Sequence, residues 1–422
     1  MTPFSVSRRS IIAALAAIAV LAFSAEAFAQ QQQQQQRRSR QAPAQPPAAA
    51  QPQAPQTASL TPETTAKQAI ILDFKTGKVL FEKNADQRMP PSSMSKIMTA
   101  YMAFKALKEN RIQLDSMLPV SQKAWRIQGS KMFVMIGTQV KVEDLLRGMI
   151  IQSGNDACIV LAEGLAGSEE AFAEQMTIEA RKIGLTGSNF RNASGWPDPD
   201  HYTTARDLAI LGKRLIADFP EYYKYYAELD FTYGTDDKGK PIKQGNRNPL
   251  LYKNTGADGI KTGHTEDAGY GLTASSVRDG RRIVGVFNGW QSMRIRAEES
   301  ERMMEWAFRE WGTYALFKKG DSIDKADVWL GTKPTVQLLA PQDIDLTIPR
   351  RLRPQIKVVA SFDSPIAAPI APGQEIGRLV VTAPGLDTIE IPLVSDTGVE
   401  RLGLAGRMNA ALAYLLWGAG KK

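Results

Sequence analysis

From Ala69 the apolar positions alternate through AIILDFKTGKVLFEKN and break at Thr76-Gly77, which predicts two strands joined by a tight turn. The next stretch, PPSSMSKIMTAYMAFKAL, places apolar residues on nearly every face of a helix, the pattern of a helix buried in the middle of a domain. Helical spacing recurs in VEDLLRGMIIQSGNDACIVLAEGLAG and EEAFAEQMTIEARKIG, each with glycine at its end. IVGVFNGW reads as a strand and ERMMEWAFREWGTYALF as a closing helix. These elements predict an α/β domain over residues 61–318, a sheet flanked by helices, with strands at both ends of the segment and helices between.

After Gly320 the pattern shortens. VWLG, TVQLLA, DLTIP, IKVVASF, GRLVVTA and TIEIPLV, separated by Pro, Gly and Asp, predict a small all-β domain over 321–396. Ser395 to Lys422 then returns to helical spacing, with Leu402, Met408, Leu412, Leu415 and Leu416 on one arc and Arg407 and Tyr414 opposite. The uncharged run is too short to span a bilayer. Residues 397–422 are therefore expected either to lie in a membrane interface as an amphipathic anchor or to pack on their own domain.

The N-terminus adds a destination. Arg8 and Arg9, an apolar run from Ile11 to Phe23 and Ala27-Phe28-Ala29 predict a signal peptide over residues 1–29, cleaved after Ala29. Its apolar core falls short of the roughly 20 residues of a spanning helix. Residues 30–60 reduce to Gln, Pro and Ala with a few arginines, a composition that buries no core and predicts a disordered spacer. A single cysteine, Cys158, excludes an internal disulfide framework, and it and the two histidines are too few and too scattered for a zinc site. No cofactor is expected. The formal charge of +8 suggests nucleic acid until it is divided: five arginines against Glu26 in the first 60 residues leave +4 on the remainder. There is no basic cluster interleaved with aromatics, so nucleic acid is discounted, and a mild positive balance suits acidic envelope polymers.

Candidate chemistry rests on three short strings. Ser93-Met94-Ser95-Lys96 puts a hydroxyl and an amine at i and i+3 on one face of the buried helix, with Ser93 at its start. A nucleophile gains there from backbone N–H groups facing a developing oxyanion, and an amine among apolar walls loses proton affinity and can act as base. Read blandly, the string is an N-cap serine and a surface lysine, and Ser322-Ile323-Asp324-Lys325 has the same spacing with no helix around it. Ser153-Gly154-Asn155 interrupts a helical region, where it is either a plain turn or a hydroxyl and an amide turned into a cleft. Lys261-Thr262-Gly263, followed by His264, precedes GYGLTASS and can present cation and hydroxyl from a strand edge to a carboxylate. It too has a decoy, Lys75-Thr76-Gly77, which the alternation assigns to a hairpin turn.

The order and setting of the three strings resemble the penicillin-recognising serine enzymes. The surrounding segments PSSMSKIMTAYM, SGNDAC, NASGWPDPDHYTTARDLA and GIKTGHTEDAGYGLTASS narrow this to a resemblance to the low-molecular-weight penicillin-binding proteins that are serine-type D-alanyl-D-alanine carboxypeptidases, peptidase family S11. It runs over nearly all of 61–420, including the small β-domain and the terminal segment that this family uses as a membrane anchor. The resemblance implies a β-lactamase/transpeptidase-like catalytic domain with Ser93 as nucleophile and Lys96 as general base. It further implies Ser153 and Asn155 as a proton-relay and substrate-orienting pair. Lys261 and Thr262 then hold the substrate's terminal carboxylate, Gly263 and His264 complete the binding strand, and the N–H groups of Ser93 and His264 form the oxyanion hole. Implied partners are peptidoglycan stem peptides, β-lactam antibiotics as covalent inhibitors, and the membrane surface, at the periplasmic face of the bacterial cytoplasmic membrane.

Other readings of the same strings are a β-lactamase, a DD-endopeptidase or an inactive wall-binding scaffold. Against the first, Gly154 stands where class A enzymes carry Asp, and no E-x-x-L-N string follows. A Ser-His-Asp hydrolase lacks its G-x-S-x-G elbow; His201, in a Pro/Asp-rich loop, is expected to be exposed, and His264 is placed to tune pH dependence. Cys158 is expected to be a buried small hydrophobe and Arg206 a structural ion-pair partner. Many relatives carry His-Gly-Leu where this chain has Ser194-Gly195-Trp196, a difference expected to alter the cleft rim and touch no catalytic position.

Overall fold

The computed structural model of the protein describes residues 61–417, with side chains through Leu412. The expected signal peptide and spacer and the last five residues lie outside the described residues. Strand β1 (Gln68–Asp73) turns at Thr76-Gly77 into β2 (Val79–Lys83). A 3-10 turn over Ser92–Ser95 leads into helix α1 (Lys96–Lys108), and α2 (Val142–Ile150), α3 (Asn155–Ala166), α4 (Glu169–Lys182) and α5 (Ala205–Asp218) follow. The chain then returns to the sheet as β3 (Ala257–Thr265), β4 (Gly269–Arg278) and β5 (Arg281–Trp290), and α6 (Met293–Glu310) closes the domain. The five strands form one antiparallel sheet in the order β2-β1-β5-β4-β3.

Alternation along β1 explains why this sheet needs helices on both faces. Ile70 and Leu72 enter one core with Ile260, Val284 and Val286, beneath the helical group that includes α1, while Ala69 and Ile71 enter a second core with Ile283, Phe287 and Met303 and Met304 of α6. Helix α1 is buried along nearly its whole length, as its all-round apolar pattern predicts. Helices α4, α5 and α6 start on Ser168, Thr204 and Ser292, whose side chains accept the N–H three residues on, supplying the cap that a free helix start lacks. The result sets the Ser92–Ser95 turn against β3 at the edge of the sheet, where Ser92 Oγ lies 3.1 Å from Thr265 Oγ1.

The closing helix is shorter than its apolar spacing suggested. It ends at Glu310, and Trp311–Phe317 is instead a strand, β6, paired antiparallel with β9 (Ile344–Pro349). Gly312 and the aromatic and β-branched residues after it favour an extended chain, and the pairing supplies the backbone hydrogen bonds that the helix would have made. The strands β7 (Ser322–Trp329), β8 (Thr335–Leu339), β10 (Lys357–Ser361), β11 (Ile366–Ala367), β12 (Glu375–Thr382) and β13 (Ile389–Ser395) make a second sheet in the order β10-β12-β13-β8-β7-β11. Its core holds Ala326, Val336, Leu338, Leu379 and Leu393. The decoy string Lys75-Thr76-Gly77 ties the first sheet to the β6–β9 pair: Lys75 Nζ lies 2.7 Å from Asp345 and Thr76 Oγ1 2.7 Å from Thr347 Oγ1. Beneath it, burial alone would raise the Asp73 carboxyl, but hydrogen bonds from Thr313, Thr76 and Arg281 outweigh it and hold the group below the usual carboxylate range. The other decoy, Ser322–Lys325, sits in strand β7, so its serine and lysine have no helical turn to bring them together.

The final segment does not return to a helix at Ser395. Val399 bridges Ile370 and Arg401 bridges Gly331, and the helix, α7, runs only from Leu404 to Trp417. Glycines at 398 and 403 and backbone bonds from Thr332 and Leu402 keep the intervening chain extended on the β-domain.

Candidate active site

Three segments converge at the start of α1. The Ser92–Ser95 turn and the first turn of α1 bring Lys96 Nζ to 3.0 Å from Ser93 Oγ, the i, i+3 contact expected of the string. Lys96 also donates to Asn155 Oδ1 at 2.8 Å and to the carbonyl of Ser194 at 2.6 Å. It is 1% exposed, and burial, with a smaller contribution from the Arg247 cation, lowers its pKa below the ordinary lysine value, though nearby acidic groups counter part of this. No carboxylate forms a salt bridge with it among the described residues. An ammonium would give all three contacts a proton; a neutral amine fits them too, with two N–H groups on Asn155 and Ser194 and its lone pair accepting from Ser93.

Asn155 heads α3 immediately after the break at Ile151–Gly154. Its Nδ2 donates to the Gln128 carbonyl at 2.8 Å and its N–H to the Ser130 carbonyl at 2.7 Å, so its orientation is fixed from the side opposite Lys96. The neighbouring Asp156 is fully buried and accepts N–H groups of Met132, Phe133 and Val134, pinning the 128–137 loop over the cleft. Ser153 is held at φ +63°, in the left-handed region that non-glycine residues seldom adopt, and its buried Oγ has no hydrogen-bond partner among the described residues. A strained backbone carrying a free buried hydroxyl is a feature that concentrates at reacting centres.

The third segment is β3. Lys261 and Thr262 are buried on it, 3% and 5% exposed, and Gly263 follows where any Cβ would stand 3.0 Å from the Pro91 carbonyl and 3.3 Å from Ser92 Cβ. Glycine there lets the strand close on the nucleophile turn. Burial, together with the charges of Lys96 and Arg247, pushes the Lys261 ammonium well below its ordinary value. His264 is exposed at the end of this run, with its ring stacked on Tyr270 at 3.9 Å.

Several contributors were not singled out from sequence. Arg247 donates to Ser130 Oγ at 2.7 Å, and Arg296, 6% exposed and pushed down to about 10 by burial, donates to the Arg247 carbonyl. With Lys261 they give the cleft a concentration of basic side chains suited to a carboxylate. The 192–202 strap lies closer to the site than its sequence suggests. The Ser194 carbonyl touches Lys96 directly, a main-chain contact that does not depend on which side chain stands at 194. His201 is not exposed but 4% accessible, with Nε2 2.8 Å from Ser95 Oγ; its place in a Pro/Asp-rich loop gave no sign that the loop folds back on the nucleophile turn. The Asn192 side chain accepts N–H groups of Ser194, Gly195 and Trp196, a turn signal that the Asn-Ala-Ser-Gly sequence did offer. Gly195 sits at φ +79°, where a Cβ would fall 1.7 Å from the Ser92 carbonyl. Cys158 is buried and free, its thiol pushed up to about 12 by burial, and Arg206 pairs with Glu82 and Asp86.

The family model described as D-alanyl-D-alanine carboxypeptidase matches residues 54–291, and that of the penicillin-binding protein 5 C-terminal domain matches 311–401. The chain is 40% identical to D-alanyl-D-alanine carboxypeptidase DacC of Escherichia coli K12, over 82% of this chain and 87% of that one. Identity to DacA of Haemophilus influenzae is 37%, over 82% and 88%. Among solved structures, penicillin-binding protein 5 from Haemophilus influenzae superposes with a TM-score of 0.74 at 38% identity, covering 81% of this chain and 99% of that one. Penicillin-binding protein D2 from Listeria monocytogenes in its ampicillin-bound form gives a TM-score of 0.52 at 30% identity, over 58% and 98%.

Proposed function

Because the chain belongs to the D-alanyl-D-alanine carboxypeptidase family, peptidase S11, and is a serine D-Ala-D-Ala carboxypeptidase acting on peptidoglycan and binding β-lactams, we propose how its own residues divide the reaction. Ser93 is the nucleophile. Neutral Lys96 takes the Ser93 proton as the hydroxyl adds to the carbonyl of the penultimate D-alanine, and the N–H groups of Ser93 and His264 hold the oxyanion, each typically worth about 3 kcal/mol. The ammonium of Lys96 returns its proton by way of Ser153 Oγ to the leaving D-alanine amine. Water then hydrolyses the acyl-serine with Lys96 again as base. Asn155 orients both Lys96 and the substrate amide, and Lys261 with Thr262 holds the terminal carboxylate beside Gly263. A β-lactam follows the same first step, but its opened ring keeps the leaving amine tethered in the site.

The observation that carries this reading is the contact set of Lys96: a buried amine with no carboxylate salt bridge, 3.0 Å from Ser93 Oγ and directed by Asn155 and Ser194. Release of free D-alanine from a stem pentapeptide, with and without penicillin, tests it. Ser93→Ala abolishes both D-alanine release and labelling by a fluorescent penicillin, while Ser322→Ala leaves both intact. Equal loss in the two variants, or labelling of Ser93→Ala at the wild-type rate, would sink the assignment.

The reading extends to location. Residues 1–29 serve as an export signal, and the enzyme works at the periplasmic face of the cytoplasmic membrane, attached through 397–422. Supporting this, Leu404, Met408 and Leu412 of α7, one helical turn apart in succession, are 70%, 67% and 56% exposed. No helix among the described residues is long and apolar enough to cross a membrane.

A further inference from the structure

We infer that His201 is a positioning residue for acylation: its imidazole, hydrogen-bonded at both nitrogens, seats the 192–202 strap, and with it the Ser194 carbonyl, against the turn that carries Ser93. The inference rests on the assignment of Ser93 and Lys96 above. The Arg191 N–H donates to Nδ1 at 3.2 Å, so Nδ1 is the bare nitrogen and Nε2 carries the hydrogen it donates to Ser95 Oγ at 2.8 Å. Ser95 lies between Ser93 and Lys96, so this bond links a strap side chain to a side chain of the nucleophile string, beside the Lys96 contact to the Ser194 carbonyl. The near end of the strap is tied by Glu169 to the Ala193 N–H and by Thr99 to the Ala193 carbonyl. Between the two ties the Ser194 carbonyl accepts from Lys96, and Gly195 permits the approach to Ser92.

The link tolerates only the neutral ring. A second proton would sit on Nδ1 facing the Arg191 N–H, turning an attraction into a repulsion. The surroundings agree: burial opposes the cation most, Asp198 partly offsets it, and the Arg191 charge, with that of Lys96 whenever it is protonated, opposes it further, so the pKa falls to about 4. Phe190 covers the ring edge-on at 5.6 Å and adds no charge. When the strap lifts, the ring regains its ordinary value near 6.5. Since the lifted state then binds the proton more readily, falling pH between about 6.5 and 4 favours lifting, and the Ser194 carbonyl leaves Lys96 with it.

The test follows the acylation of the full-length enzyme in detergent by a fluorescent penicillin, from pH 8 to 4.5, in wild type, His201→Ala and His201→Gln. The glutamine amide can donate to Ser95 and does not titrate. At pH 8 His201→Ala loses about tenfold in the acylation rate constant with the dissociation constant for penicillin little changed, as displacement of an orienting group does, and His201→Gln stays within about threefold of wild type. The ratio of His201→Gln to wild type then rises at least about threefold as the pH falls to 4.5. A role in stability alone would lower the melting temperature without moving this ratio. A flat ratio, or wild-type acylation by His201→Ala at pH 8, overturns the inference; should His201→Ala not fold, the ratio decides. Peptide mapping of the adduct separates this from failure of the underlying assignment, because an adduct away from Ser93 removes the nucleophile, while an adduct on Ser93 with a flat ratio removes only the role of His201.

Discussion

At the scale of single residues, the proposed chemistry asks opposite things of two lysines that burial holds below their ordinary pKa. Lys96 has to be neutral to take a proton. Its pKa is lower folded than unfolded, so between the two values the unfolded chain binds more protons, and this residue's contribution makes the fold more stable as pH rises through that window; acylation rises as pH passes its folded pKa. Lys96→Arg keeps the charge but cannot lose its proton, and is expected to slow penicillin acylation by about 10³-fold, read from labelling time courses. Acylation near the wild-type rate would remove Lys96 as base. In the proposed role Lys261 binds as an ammonium; burial and the neighbouring Lys96, Arg247 and Arg296 disfavour that charge and it has no salt bridge to an acid among the described residues, so the substrate carboxylate is its proposed counter-ion. Amidating the terminal D-alanine should cost about 2 kcal/mol of transition-state binding in kcat/KM, a charge-assisted hydrogen bond's worth; equal cleavage of free and amidated peptides would contradict this. The contact between Ser93 and Lys96 was legible in the sequence because a helical turn fixes what lies three residues apart. The Ser194 carbonyl was not, because every residue has a carbonyl and only the long-range path of the strap brings this one to Lys96.

At the scale of elements, identical strings differ by what their backbone is asked to do. Lys261-Thr262-Gly263 lies on an edge strand pressed against the nucleophile turn, whereas Lys75-Thr76-Gly77 lies in a hairpin where Gly77, at φ +73°, has open space except for Lys213 Nζ at 3.5 Å. Gly77→Ala is accordingly expected to cost about 1–2 kcal/mol of stability through backbone strain alone and to leave acylation unchanged. Gly263→Val brings its side chain against the Pro91 carbonyl and the Ser92 and Met94 side chains, so acylation should fall by at least about tenfold even at temperatures where the variant is fully folded. Melting curves and penicillin labelling of both variants check the pair, and wild-type labelling by Gly263→Val would show that the close approach does not matter. The hydrophobic period told the two strings apart, since alternation with a break at Thr76-Gly77 is a hairpin pattern. It could not place the end of α6, because WGTYALF satisfies a helical stripe as well as a strand and only pairing with Ile344–Pro349 decides between them.

At the scale of the whole molecule, the catalytic cleft and the terminal helix belong to opposite ends of one chain. The nucleophile turn is built from the first sheet and its helices, while α7 follows a stretch that pairs Val399 and Arg401 with the β-domain. Removing the helix should therefore leave the cleft untouched, provided the cut spares that pairing; a chain ending at Gly403 does so, and one ending at Asp396 does not. Leu404, Met408 and Leu412 stand exposed, and burying such a stripe with the apolar residues that follow in sequence, at roughly 25 cal/mol per Å², gives several kcal/mol of affinity for an interface. Lys421 and Lys422 would add about 1 kcal/mol each beside anionic headgroups. The shortened chain is expected to leave the membrane fraction and to release D-alanine from a soluble peptide at the full-length rate. Met408→Asp combined with Leu412→Asp should do the same, since two charges on the exposed stripe oppose insertion without removing a packed side chain. Sedimentation of either variant with membranes would refute attachment through α7. Loss of activity on the soluble peptide would instead make α7 a structural support of the catalytic domain, a role that the exposure of its apolar stripe argues against.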